Sequence, residues 1–132
     1  KRFLCENMFV EETSQGGYSE WIEKVKELLR DMGVRFEAEE SVRIHKGDVV
    51  IEVMEKGDKF TISISIEIPR ALELSEVDRY VAAYRSFLEL VAKASTEPFY
   101  ELDTSIGYTF LRALIDVESV DQLIDKLKTM LG

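Results

Sequence analysis

Cysteine, histidine, asparagine and tryptophan each occur once in the 132 residues, and proline and glutamine twice. Cys5 alone excludes an internal disulfide and, on the N-terminal stretch with no basic neighbour fit to lower its pKa, reads as a small, partly buried thiol. A catalytic triad or a His-rich metal site would have to be built on His45, which stands beside a predicted turn and reads as solvated. The seven glycines are scattered among turns and caps, so no glycine-rich phosphate loop exists. Apolar runs are short: the longest spans the five residues Tyr80 to Tyr84, against about 20 for a membrane-spanning helix. Positive charge is in deficit, with 17 Lys and Arg against 26 Asp and Glu and a formal charge of −9. That balance repels a phosphate backbone, and no basic cluster offsets it, so nucleic acid is not an expected partner. Neither a signal peptide nor a lipidation motif is visible, which makes the cytoplasm the expected location, although Lys1 leaves room for residues upstream.

What is present suffices for one core. Hydrophobic residues make up 45% and charged residues 33%, too apolar for a disordered chain, and the length suits a single domain that needs no metal or disulfide to fold. Scarce amides beside abundant Glu, Lys, Ile and Val match the composition of thermophilic proteins.

Residues 1–17 form a distinct N-terminal arm, carrying Phe3, Leu4, Met8, Phe9 and Val10 and ending in the polar Thr13 to Gly17. The domain proper is residues 18–132. Ser19 as N-cap, then Trp21, Ile22, Val25, Leu28, Leu29 and Met32 on one stripe, then Gly33, predict a first helix. Three strands are expected next. The first carries Val34, Phe36, Ala38, Val42 and Ile44, with a bend marked by Ser41; the second is residues 49 to 55. The third alternates Phe60, Ile62, Ile64, Ile66 and Ile68 with Thr61, Ser63, Ser65 and Glu67, the clearest pattern in the chain. Twin Lys-Gly-Asp triplets at 46–48 and 56–58 resemble an adhesion tripeptide but are read as hairpin reversals. One face of this sheet is thus buried, and the other shows hydroxyls and a carboxylate, as when helices cover an antiparallel sheet on one side only.

A second helix is expected from Ser75 to about Ala94, with Ser75 as its hydroxyl cap. Its main stripe is Val77, Tyr80, Val81, Tyr84, Leu88 and Val91; Ala83, Phe87, Leu90 and Ala94 widen the apolar arc and call for a second partner, either another helix of the protomer or a copy. After Pro98 a hairpin is expected, Phe99 to Leu102 and Tyr108 to Ile115, although residues 108–117 fit the start of a helix equally well. Its aromatics Phe99, Tyr100, Tyr108 and Phe110 suit a small second core better than a binding groove. Ser119 and Gln122 make a capping box for a last helix, bearing Val120, Leu123, Ile124, Leu127, Met130 and Leu131.

No chemical constellation emerges. Glu55 and Lys56 are adjacent and point to opposite sides of a strand, the wrong spacing for a metal-dependent nuclease, and the acids Glu37, Glu39, Glu40, Glu52, Glu55, Asp116, Glu118 and Asp121 mark no site by abundance. No cofactor, metal or catalytic residue is assigned.

The order helix, three strands, helix, two strands, helix over residues 18–132 resembles the type III secretion chaperone-like fold, on topology and without a shared motif. The arm is not part of that pattern. The resemblance implies dimers formed through the middle helix or its flanking strands, and partner polypeptides held in extended form over apolar patches. The expectation is therefore an α+β domain, an antiparallel sheet with helices mainly on one face, acting as a non-enzymatic protein- or peptide-binding homodimer. Ala83, Phe87, Leu90 and Ala94 are assigned to the dimer contact, and Val50 and Met54 to the partner-binding surface. The alternative is a small ligand-sensing or metal-dependent enzyme domain using Glu37, Glu52 and Asp116.

Overall fold

A computed structural model describes residues 19–104 and 107–132; the arm of residues 1–17, with Cys5, lies outside the described residues. The elements are α1 (Glu20–Met32), β1 (Arg35–Ala38), β2 (Val42–Lys46), β3 (Val49–Lys56), β4 (Lys59–Glu67), α2 (Val77–Ala94), β5 (Phe99–Asp103), β6 (Phe110–Val117) and α3 (Val120–Leu131). All six strands join one antiparallel sheet in the order β1-β2-β3-β4-β6-β5. The expected α+β class and helix-on-sheet arrangement hold.

Two local departures refine it. The run from Val34 to Ile44 is not one strand: residues 39–41 reverse the chain and Phe36 pairs with Ile44, so β1 and β2 form a hairpin. The polar Glu39-Glu40-Ser41 interrupts the alternation, but apolar residues fall at even positions on both sides of it, which hides the reversal because both strands present the same face to the core. At α2, a short 3₁₀ turn (Leu74–Glu76) precedes the helix and carries its own capping box, the Glu76 side chain accepting from the Glu73 amide at 3.2 Å; Ser75 lies inside this turn, and α2 begins at Val77 without a side-chain cap. The open alternative at residues 108–117 resolves as strand from Phe110 onward, with β6 paired to both β4 and β5.

The core follows the alternation. Val42, Ile44, Val49, Ile51, Val53, Phe60, Ile62, Ile64, Ile66, Ala113, Ile115 and Val117 point to one side of the sheet and are buried. α1 lies against β1 and β2, α2 against β3 and β4, and α3 packs on both other helices. Trp21 meets Phe60 edge to face at 5.1 Å, tying the start of α1 to the sheet. Each such side chain contributes about 1.5–3 kcal/mol on burial, which is why the sheet and helix layers form as a unit.

Candidate functional site

The apolar arc of α2 divides between two destinations. Phe87, Leu90 and Ala94 are at most 2% exposed and Ala83 is 9% exposed, so these residues lie in the protomer's own core. This corrects their assignment to a dimer contact. Val77, Val81, Tyr84 and Leu88, expected to form the core stripe, are instead exposed. The reason lies in side-chain chemistry. A buried tyrosine needs a partner for its hydroxyl, whereas Phe87 needs none and the small Ala83 and Ala94 let the helix approach the layer beneath. Tyr80 and Tyr84 stack along the outer flank with ring centroids 6.3 Å apart, and Tyr84 stacks in turn on Phe87. Tyr84 therefore links the exposed flank to the core.

A second apolar exposure lies on β5. In the sheet order it is an edge strand, and Phe99, Tyr100 and Leu102 are 65, 47 and 63% exposed. Beyond the strands, Tyr108 is exposed too. The expected second aromatic core does not form: Phe110 is half-buried beneath the Arg112 guanidinium, 5.6 Å from its ring centre, and the other three aromatics stay open.

On the sheet face away from the helices, Val50 and Met54 are half-buried and pair in register with Ser65 and Thr61, as the alternation predicts. Among the described residues no element covers this face. Ser63 lies at its centre between Glu52 and Leu114, only 2% exposed, and its hydroxyl makes no hydrogen bond. The Ser65 hydroxyl donates to the Val50 carbonyl at 3.4 Å.

The carboxylates of the alternative reading do not converge. Glu37 lies 3.4 Å from His45 Nε2, Glu52 accepts from Ser41 at 2.9 Å and lies 3.7 Å from Arg43, and Asp116 accepts from Thr61 at 2.9 Å. They occupy β1, β3 and β6, with Arg43 between the first two and β4 between the others. Among the described residues, no three His, Cys, Asp or Glu side chains are grouped to hold a metal ion. The firmest ion pair is structural. Arg79 of α2 grips Asp48 in the β2–β3 turn through two bonds of 2.7 and 2.9 Å, and that hydrogen bonding holds the Asp48 carboxyl below its ordinary range. A cleft of about 340 Å³ beside this pair is lined by Ile66, Leu72, Glu76, Tyr80 and Ala83 among others, and its open mouth makes it a surface depression. No described helix is long and apolar enough to cross a membrane.

No protein-family model and no curated protein sequence matches the chain. Among solved structures it is similar to YbjN of E. coli, described as a candidate transcription regulator, with a TM-score of 0.46 and 15% identity. The similarity covers 89% of this chain and 91% of that one. At this level it is a likeness of outline, and no function follows from it.

Proposed function

We propose that the protein is a non-enzymatic protein- or peptide-binding module of chaperone-like type that acts as a homodimer, with the outer flank of α2 as the contact. One observation carries this reading: Val77, Val81, Tyr84 and Leu88 are 36 to 46% exposed at spacings of four, three and four residues. Those spacings are the seam of a two-helix coiled coil, narrower than a core-facing stripe, and such a seam suits another helix. A twofold axis near the middle of α2 would set Val77 of one protomer against Leu88 of its partner and Val81 against Tyr84, making the patch self-complementary. Val50 and Met54, on the sheet face away from the helices, remain the proposed surface for a polypeptide partner.

The test is particle mass by light scattering during gel filtration. The reading expects twice 15.2 kDa for the parent and 15.2 kDa for Tyr84→Glu/Leu88→Glu, both residues being exposed in the protomer. A parent chain that stays monomeric at about 0.1 mM, well above typical dimer dissociation constants, overturns it.

A further inference from the structure

The two edges of the sheet differ in how they meet solvent. β1 is four residues long, carries Arg35 and Glu37, has α1 against it, and its apolar Phe36 and Ala38 are half-buried. Charge and cover of this kind blunt an edge against further pairing. β5 has neither. No described strand pairs with its outer side, no Lys or Arg lies within residues 97–103, and Phe99, Tyr100 and Leu102 are all largely exposed. An edge strand leaves alternate backbone N–H and C=O groups free to receive another strand, and exposed aromatics beside them supply apolar area.

The two faces of β5 specify what would bind. Phe99, Glu101 and Asp103 point to the sheet face away from the helices, and Tyr100 and Leu102 to the helix side. Asp103 is bonded to Arg112 at 2.8 Å, whereas Glu101 is exposed. A strand lying beside β5 meets Glu101 between Phe99 and the Arg112-bonded Asp103 on one face, and Tyr100 and Leu102 on the other. A second copy of β5 does not match: pairing all five residues antiparallel sets Phe99 against Asp103, Tyr100 against Leu102 and Glu101 directly against Glu101. Like charges directly opposite destabilise a strand pair, and each chain already carries −9. Pro98 limits a shift of register toward the N-terminal side, because it has no amide to donate.

We propose that β5 recognises an extended polypeptide segment in which Lys or Arg alternates with apolar residues, by adding it as a seventh strand to the sheet. This rests on the peptide-binding reading above and names its partner's chemistry and its edge. The cationic side chains fall opposite Glu101 and the apolar ones beside Tyr100 and Leu102.

The test uses the full chain and three eight-residue peptides: alternating Lys-Val, alternating Glu-Val, and a Lys-Lys-Val-Val repeat of the same composition as the first. Binding is followed by fluorescence anisotropy at low salt, and amide hydrogen exchange is read across residues 99–103. The alternating Lys-Val peptide should bind and slow exchange there. The blocked repeat should bind at least about fivefold more weakly, since its charges cannot all fall on one strand face. Glu101→Lys should weaken the Lys-Val peptide by about five- to tenfold and improve the Glu-Val peptide. Equal binding of the alternating and blocked peptides, or protection elsewhere than β5, overturns the proposal. Loss of Lys-Val binding on Val50→Glu/Met54→Glu, with β5 exchange unchanged, would keep a peptide-binding module and discard this edge. Light scattering of the Glu101→Lys chain reports the α2 dimer separately, because β5 lies outside that contact.

Discussion

Phe87 and Leu88 are neighbours in sequence with opposite environments, fully buried and 42% exposed. Phe87→Ala is expected to cost about 3–5 kcal/mol in urea unfolding, the loss of an aromatic plus the cavity left behind, whereas Leu88→Ala in dilute solution should stay within about 0.5 kcal/mol. A reversed order would restore Leu88 to the core. Asp48 tests electrostatics at the same scale. Its carboxyl is held low by Arg79, so its contribution is present above the unfolded value of 3.8 and lost as pH falls through the lower folded value. Asp48→Asn should therefore melt below the parent at about pH 6, and the gap should close as pH falls through the lowered folded value. A gap of constant size across that range would show that the pair's charge is irrelevant. Much at this scale is legible from residue type alone: the alternating Phe60, Ile62, Ile64 and Ile66 of β4 are all buried, although Ser63 and Ser65 between them are buried as well. The division of α2 is not legible, because so wide an apolar arc carries no mark of which half meets the sheet.

At the scale of the element, end signals and turns are well marked and strand breaks are not. The Ser119 hydroxyl accepts from the Gln122 amide at 3.2 Å, while the Gln122 side chain accepts from the Glu118 amide at 2.9 Å. Ser119→Ala should cost about 1 kcal/mol, measurable by urea denaturation, through loss of that cap. Gly47 and Gly57 have φ of 62° and 67° in the two hairpin reversals, and no heavy atom lies within 4 Å of where a side chain would start. A substitution there would meet backbone strain alone. These features need only local geometry. The β1–β2 reversal at residues 39–41 has neither glycine nor proline, so nothing local separates it from a bend within one strand. The same holds for β6, whose apolar run fits two periods until β4 and β5 supply the pairing that decides for strand.

For the whole molecule, the exposed seam of α2 and the exposed edge of β5 are separate surfaces and predict separable behaviour. If α2 pairs with its copy, melting temperature should rise with protein concentration, and Tyr84→Glu should abolish that dependence, since association stabilises by mass action. A concentration-independent melt of the parent would count against the dimer. Binding at β5 should weaken steeply with added salt, as the exposed Glu101 is screened, while the dimer should not. The sequence by itself determined the acidic charge balance, the helices and strands apart from the β1–β2 break and β6, and the apolar face of the alternating strands, because composition and periodicity act through nearest neighbours. Only the tertiary structure decided which side of α2 is left in water and which strand ends the sheet, because those depend on what packs against each element from elsewhere in the chain.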